Sequence, residues 1–354
     1  MSARLLAAER PPLVMRCGAF GDMVLLTVLL EQLHARFKAP VDVIASGPWS
    51  EPLLARHHAV GRMFILRSRR TPYWLSSSQQ RLVAWLKARG AGPTWFCDRG
   101  EGRELLARGG IPGGYICDST EYPFLDGENF ADRYLRLGAL TPAAFTGLLP
   151  PPVAGVPRAA HLEIPDVARR ELDSWLAARG LAGRSFMVIH PGSRHVARRR
   201  LRSRSGASKY WPEERWAQVT RAVRAGCPDQ AIILSGTGAE SSLIADVLRL
   251  AGVTGAVNAA DDLPVARLLA LLERAKSFIA VDTGPAHAAA ALGCPTVALF
   301  GRIDPWLYRP GGATTPAVTL TGTVDGKPNI LGIEAERVIS AWEELTGVRA
   351  ARTM

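Results

Sequence analysis

The chain has 354 residues, of which 47% are hydrophobic and 21% are charged, an ordinary globular composition that at this length predicts two domains. No apolar stretch reaches the roughly 18 residues that a membrane helix needs, and the N-terminus lacks the core of a signal peptide. Five scattered cysteines form no CxxC pair, so we predict neither a disulfide framework nor a zinc site. A cytoplasmic protein is the expectation.

The net charge is +11, and much of it comes from one short segment. Six arginines lie between Arg194 and Arg204, Lys209 follows, and no acid interrupts them. Without these seven side chains the net charge would be +4. The basicity is therefore local, and the run has no interleaved aromatic residue before Tyr210, which argues against a nucleic-acid-binding surface.

The first half of the chain begins with the unit of a parallel α/β sheet. Leu13–Met15 predicts a strand, a glycine-rich turn follows, and a helix with apolar residues at three- and four-residue spacing begins at Asp22. Val41–Ala45 predicts the next strand. Three further short apolar runs predict strands: Met63–Leu66, Thr94–Cys97 and Tyr115–Cys117. A proline-rich segment, 149–157, predicts the end of a first domain spanning residues 1–155.

The second half repeats the alternation of strands and helices. Four strands are predicted, Phe186–Ile189, Ala231–Leu234, Phe278–Val281 and Thr296–Phe300, with helices between them. Such a parallel sheet binds ligands at the carboxyl ends of its strands. We expect this domain to span 156–332, and the last helix and tail, 333–354, to pack back toward the first domain.

Asp22 is the candidate catalytic residue of the first half. It follows the turn Gly18–Gly21 at the start of a helix, where backbone N–H groups and the helix dipole favour a carboxylate. A plain helix cap and a general base at the mouth of the sheet are both consistent with this position.

Two candidate phosphate- or nucleotide-binding segments follow the first two strands of the second half. The turn His190–Ser193 precedes Lys209, which lies beside a helix N-terminus; a lysine fits there if a phosphate lies between the two, and otherwise it is a solvated surface residue. The turn Gly236–Gly238 leads into Glu240. That carboxylate either accepts hydrogen bonds from ribose hydroxyls or simply complements the dipole of its helix.

The segment Asp282–His287 carries the most specific pattern. An acid, a hydroxyl, a glycine and a histidine, Asp282, Thr283, Gly284 and His287, follow the apolar strand that ends at Val281. Pro285 favours a helix start at this point. A strand needs none of these polar groups for its own stability, whereas a polyhydroxyl ligand does.

At these motifs the chain resembles the ADP-heptose:lipopolysaccharide heptosyltransferases, glycosyltransferase family 9. The resemblance covers the second half nearly continuously, and in the first half it rests on Arg16–Asp22 and the helix after it. It implies an α/β chain of the GT-B fold, in which two Rossmann-like parallel-sheet domains face a cleft.

The resemblance also implies residue roles. Asp22 corresponds to the base that deprotonates the acceptor hydroxyl, Lys209 to the lysine that binds the donor diphosphate, and Glu240 to the glutamate that holds the ribose. The remaining donor-binding residues that it implies are Ser193, Gly236, Asp282, Thr283, Gly284 and His287. The family needs no metal or other cofactor, and the acceptor-binding residues stay unassigned.

The expected function is therefore an inverting, metal-independent transfer of a sugar, foremost heptose from ADP-heptose, to a hydroxyl of a lipopolysaccharide core or related glycan. Three alternatives remain open: a family member with another nucleotide sugar or acceptor, a UDP-sugar epimerase of the same fold, and a non-catalytic sugar-nucleotide-binding subunit. The basic segment Arg194–Ala207 departs from the family pattern as an insertion. We expect its arginines, Arg194–Arg204, to contact an anionic membrane surface at the inner face of the membrane.

Overall fold

Two parallel β-sheets organise the chain, in a computed structural model that describes residues 3–98, 100, 102–193, 209–311 and 317–349. The chain divides into two compact units, Met1–Glu163 and Ile164–Met354. Each unit carries its own sheet with helices around it, which confirms the predicted α/β class. The basic segment Arg194–Ala207 lies outside the described residues.

The unit boundary falls eight residues beyond the predicted boundary at 155. The segment 156–163 belongs to the first unit because its polar groups are bonded there: the His161 N–H donates to Thr27 Oγ1 at 3.1 Å, and Glu163 Oε1 accepts from the His58 N–H at 3.0 Å. The proline-rich segment 149–157 therefore lies shortly before the boundary between the two units and does not contain it.

The first unit contains a five-stranded sheet in the order β3-β2-β1-β4-β5, and each neighbouring pair is parallel. Its strands are β1 Leu13–Met15, β2 Val41–Ser46, β3 Val60–Leu66, β4 Thr94–Phe96 and β5 Ile116–Asp118. Its helices are α1 Ala3–Ala8, α2 Phe20–Phe37, α3 Ser50–Leu54, α4 Ser77–Arg89, α5 Gly102–Arg108 and α6 Phe130–Ala139. Short 3₁₀ turns occupy Tyr73–Leu75, Gly113–Tyr115, Ser119–Glu121 and Ala143–Phe145.

The second unit contains a six-stranded parallel sheet in the order β11-β10-β9-β6-β7-β8. Its strands are β6 Phe186–His190, β7 Ala231–Gly236, β8 Ala256–Ala260, β9 Phe278–Val281, β10 Thr296–Phe300 and β11 Ala317–Thr321, and a small hairpin pairs β12 Thr323–Val324 with β13 Lys327–Pro328. Its helices are α7 Asp166–Ala177, α8 Glu213–Gly226, α9 Ser241–Ala251, α10 Val265–Arg274, α11 Gly284–Ala291, α12 Pro305–Tyr308 and α13 Ala335–Thr346, with 3₁₀ turns at Gly238–Glu240 and Ile330–Gly332.

Both sheets reverse their winding direction beside their first strand. The chain runs from β1 outward through β2 and β3, and then returns to place β4 on the other side of β1. It does the same from β6 through β7 and β8, returning to place β9 beside β6. At such a switch point the loops after the two central strands lead away in opposite directions, which leaves room for a ligand at the carboxyl ends.

The last helix, α13, belongs to the second unit, where it packs against α8, β10 and β11. The expected packing of residues 333–354 toward the first domain stays a prediction. Trp342 is fully buried in that unit's core, and its indole N–H donates to Ser277 Oγ at 3.1 Å. The apolar face of α13 is thus satisfied within its own unit. None of the helices in the described ranges is long and apolar enough to cross a membrane.

Helix α2, which begins beside Asp22, is fixed at its far end by a buried arginine. Arg36 is only 3% exposed, and its guanidinium donates to the carbonyls of Gly138, Leu140 and Pro150 and to Thr141 Oγ1 over distances of 2.6–3.0 Å. These acceptors are all neutral, so the contact depends on the number of hydrogen bonds and not on charge pairing. Arg36 thereby ties α2 to the segment that follows α6.

Replacing Arg36 by methionine should lower the free energy of unfolding by about 2–5 kcal/mol, because several buried oxygens lose their donor at once. Arg36→Lys should recover part of the loss, since an ammonium offers three donors without the planar fork. Urea denaturation measures both, with Arg81→Met at an exposed position as the control. Equal stability of Arg36→Met and Arg81→Met would show that Arg36 does not anchor the helix.

Candidate functional site

His190 ends the first strand of the second sheet with a buried, neutral side chain. Its Nδ1 lies 2.9 Å from Ser235 Oγ at the end of the neighbouring strand β7. Burial lowers the pKa of His190, although the charge of Glu240 acts in the opposite direction. The ring therefore links two strand ends without bringing a charge into the turn.

Glu240 lies directly against the turn that follows His190. Its Oε2 accepts from the Thr237 N–H at 2.7 Å and from the Thr237 hydroxyl at 2.9 Å, and the residue is 3% exposed. A Cβ atom at Gly192 would lie 2.4 Å from Glu240 Oε1, so only glycine permits this approach. The structure thus brings Glu240 to the buried Ser193 turn, as expected of residues that serve one ligand.

Gly236 has a packing role at the same place. A Cβ there would lie 2.8 Å from Ile244 Cδ1 and 3.3 Å from Glu240 Cβ. The glycine lets helix α9 close onto the end of β7, which holds Glu240 in position.

Lys209 and Asp282 form the central contact of the site. Lys209 Nζ donates to Asp282 Oδ2 at 2.6 Å and to the Asp282 carbonyl at 2.7 Å, and both side chains are largely buried. His287 Nε2 lies 4.0 Å from Asp282 Oδ1. An ammonium has three protons, so Lys209 retains one for a ligand after both bonds to Asp282.

The turn after β9 presents further polar groups beside this pair. Helix α11 begins at Gly284, one residue before Pro285, and the Thr283 side chain makes no capping hydrogen bond. Thr283 Oγ1 is buried without a hydrogen-bond partner in the described part of the chain. A hydroxyl and a helix N-terminus left in this state suit an anionic or polyhydroxyl ligand.

All eight predicted donor-binding residues lie in the second unit, at or after the carboxyl ends of β6, β7 and β9. Strands β6 and β9 are neighbours at the switch point. The structure therefore gathers these residues at one edge of one sheet, while their roles toward a donor stay predictions.

Asp22 lies at the corresponding place in the first unit, after β1. Its Oδ1 pairs with Arg16 at 3.1 Å, and its Oδ2 accepts from the Ala19 N–H at 2.8 Å. A Cβ at Gly18 would lie 2.5 Å from Asp22 Cβ, so glycine is required there by close approach. Each carboxylate oxygen keeps a second lone pair that can accept a proton.

The sequence analysis missed Asp98, which joins this turn to the strand across the switch point. Asp98 follows β4; its Oδ2 accepts from the Cys17 N–H at 3.2 Å and its Oδ1 pairs with Arg69 at 2.5 Å. The residue is buried. An acid directly after a predicted strand was the available signal, the same one that identified Asp282.

Comparison with known proteins shows a sequence similarity that includes this site. The sequence model of glycosyltransferase family 9 (heptosyltransferase) matches residues 167–325, which contain every residue of the second-unit site. The curated lipopolysaccharide heptosyltransferase 3 of Escherichia coli is 28% identical over 187 residues, 52% of this chain and 48% of that protein. The aligned region thus spans about half the length of the curated relatives that the chain matches.

Solved structures extend the likeness of fold to both units. A family 9 glycosyl transferase from Veillonella parvula superposes with a TM-score of 0.74 at 18% identity, over 96% of this chain and 98% of that chain. The E. coli ADP-heptose lipopolysaccharide heptosyltransferase II superposes with a TM-score of 0.68 at 19% identity, over 95% and 98%. The predicted GT-B fold is confirmed.

The buried neutral His190 predicts how stability depends on pH. The pKa of His190 is lowered in the folded protein. Below about pH 6.5 the ring therefore binds a proton in the unfolded chain but not in the folded chain. The free energy of unfolding should therefore fall as the pH drops below about 6.5. In His190→Asn, which retains a polar atom near Nδ1, that fall should be smaller. Urea denaturation at pH 7.5 and 5.0 tests this, with His161→Asn, whose side chain is 53% exposed, as the control. An unchanged pH dependence in His190→Asn would refute the assignment.

Proposed function

We propose that this protein is a glycosyltransferase that moves a sugar, foremost heptose from ADP-heptose, to a hydroxyl of a lipopolysaccharide core or related glycan. The match of the second unit to family 9 and the relation to lipopolysaccharide heptosyltransferase 3 support the class of reaction. The name of the E. coli structural neighbour supports ADP-heptose as the donor to test first.

The observation that carries the proposal is the Lys209–Asp282 contact beside the uncapped start of α11. Asp282 holds Lys209 in one position, and the remaining ammonium proton can bond to a diphosphate oxygen. The N-terminus of α11 adds the equivalent of about half a positive charge. These groups can stabilise the negative charge that develops on a departing nucleoside diphosphate, and the proposed transfer therefore uses no metal.

The proposed reaction is a single inverting displacement. The acceptor oxygen attacks the anomeric carbon, the bond from that carbon to the diphosphate oxygen breaks, and the nucleoside diphosphate leaves with the electron pair. Asp22 accepts the hydroxyl proton. Arg16 and the Ala19 N–H orient the Asp22 carboxylate. A carboxylate is a weak base, so it accepts the proton late, when the bond from the acceptor oxygen to the anomeric carbon is already forming.

Attachment to an anionic membrane surface through Arg194–Arg204 is a further part of the proposal. A glycolipid acceptor lies at such a surface, where each basic residue contributes about 1 kcal/mol of attraction. This rests on the sequence alone, because these arginines are outside the described residues.

Asp22→Asn tests the proposed base. Asparagine keeps the shape and can still accept from the Ala19 N–H, so folding and donor affinity should be nearly unchanged. Turnover of ADP-heptose with a lipopolysaccharide core acceptor should fall at least about a hundredfold. Full activity would exclude Asp22 as the base, and would favour either another base or a binding subunit whose apparent activity comes from elsewhere. An early-melting variant would indicate a structural role.

Lys209→Ala tests the donor contact. Loss of a charge-assisted hydrogen bond should weaken nucleoside diphosphate binding about ten- to a hundredfold in calorimetry. Lys276→Ala, at an exposed position of the same unit, is the matched control. Lys209→Ala also removes the cation that pairs with Asp282, so the carboxylate would repel the diphosphate. The double variant with Asp282→Asn separates this repulsion from the lost attraction between Lys209 and the diphosphate. Unchanged affinity in Lys209→Ala would show that Lys209 serves only to pair with Asp282.

A further inference from the structure

A cluster of histidines and glutamates lies in the first unit, apart from the turn that holds Asp22. Four of the chain's seven histidines take part, and their ring centroids lie 5.0–6.2 Å from their neighbours. The members of this histidine cluster are Glu31, His34, His57, His58, His161 and Glu163. They come from α2, from the loop between α3 and β3, and from the last residues of the unit.

His57 is the most deeply buried member. Its side chain has no exposed surface, and its Nε2 lies 3.5 Å from Glu31 Oε1 without a hydrogen-bond partner in the described part of the chain. A buried nitrogen without a partner is unfavourable unless a ligand satisfies it.

His58 faces a carboxylate on each side. Its Nδ1 lies 2.6 Å from Glu163 Oε1, and its Nε2 lies 3.2 Å from Glu31 Oε2. Glu163 Oε1 also accepts from the His58 backbone N–H at 3.0 Å, which fixes the carboxylate on the Nδ1 side. Carboxylate oxygens only accept, so His58 donates from both ring nitrogens in this arrangement. An ion between Nε2 and Glu31 would replace the Nε2 proton, while the Nδ1 bond to Glu163 would orient the ring.

We propose that Glu31, His57 and His58 bind a divalent transition-metal ion, foremost Zn²⁺, and that Glu163 orients His58. The three ligand atoms lie within 4.8 Å of one another. Two nitrogen or oxygen ligands of a tetrahedral Zn²⁺ lie about 3.3–3.4 Å apart. Glu31 Oε1 lies 3.5 Å from His57 Nε2 and Glu31 Oε2 lies 3.2 Å from His58 Nε2, so a small rotation of the carboxylate, or binding through both oxygens, would serve both rings. A water would complete the coordination.

Ligation by His57 Nε2 sets the tautomer of that ring. In the structure the Ala59 N–H donates to Nδ1 at 3.2 Å, so ion binding at Nε2 would require the ring proton to move to Nδ1 and would break this long hydrogen bond.

A second set of ligands, His58, His161 and Glu163, also lies close enough together to be considered. Its geometry is poorer, because His58 Nδ1 and Glu163 Oε1 are 2.6 Å apart, the length of a hydrogen bond, and His161 Nε2 is 3.9 Å from the same oxygen. These distances favour Glu163 as the partner of His58 and not as a metal ligand.

The proposed site has no place in the sugar-transfer reaction. It would join α2 to the loop before β3, so its expected effect is on the stability of the first unit. The sequence predicted no metal because it shows no CxxC or other metal motif, whereas Glu31 and the two adjacent histidines lie 26 and 27 positions apart in different elements.

The test uses the full chain without an affinity tag, stripped with a chelator and titrated with Zn²⁺ in competition with a chromophoric chelator. Wild type should bind one Zn²⁺, and Co²⁺ should give the visible absorption of a tetrahedral site. Glu31→Gln should weaken Zn²⁺ binding at least tenfold, and His58→Asn, a second variant, should do the same. His161→Gln is the control and should bind as wild type does.

Melting temperatures of the stripped variants show whether each is folded, and Zn²⁺ should raise the melting temperature of wild type but not of Glu31→Gln. The proposal is overturned if wild type binds no Zn²⁺ at micromolar concentration, or if Glu31→Gln binds it as tightly as wild type. Loss of binding in His161→Gln would also overturn it, in favour of the second set of ligands. Absence of binding in all variants would leave His58 as an ion-paired bridge between two glutamates.

Discussion

The reversal of winding beside the first strand of each sheet is the constraint on which the rest of the structure depends. In both units it places the turn after the first strand next to the turn after the strand that returns to its side. In each unit a basic side chain donates to a main-chain carbonyl at or beyond the end of the neighbouring strand. Arg16 Nη1 donates to the Cys97 carbonyl, and Lys209 Nζ donates to the Asp282 carbonyl, both at 2.7 Å. The same cations pair with Asp22 and Asp282. The two halves of the chain thus use one device to position a carboxylate at a sheet edge.

The ion pair between Lys209 and Asp282 lowers the net charge of the proposed donor-binding site. Lys209 and Asp282 largely cancel each other's charge, so the site cannot attract a diphosphate through a surplus of lysine charge alone. In this proposal, diphosphate binding depends on hydrogen-bond donors held in fixed directions: the third ammonium proton of Lys209, the N–H groups at the start of α11 and the Thr283 hydroxyl. A buried ion pair holds these hydrogen-bond donors in place, so they rearrange little when a ligand binds. Such fixed donors can stabilise the negative charge that develops on a leaving group.

The sequence predicted the strands of the first sheet and the central strands of the second, but it missed the two edge strands of the second sheet, β8 and β11. Strands such as β1, β6 and β9 are apolar and fully buried, and glycine or polar residues follow them closely, so their ends were predicted to within one residue. The edge strand β8 is rich in alanine and half-exposed, and it therefore gave no strand pattern. Contacts between distant residues, such as Lys209 with Asp282 or His58 with Glu163, leave no local signal at all.

The central claim is that the polar edge at β6, β7 and β9 binds a nucleoside diphosphate. The most direct measurement is a calorimetric and thermal-shift comparison of ADP, GDP, UDP and dTDP with the unaltered full chain, in the presence of a chelator. The account predicts that ADP binds most tightly and, at about 100 times its dissociation constant, stabilises the fold by about 2.7 kcal/mol. Failure of all four nucleotides to bind or to raise the melting temperature would contradict it.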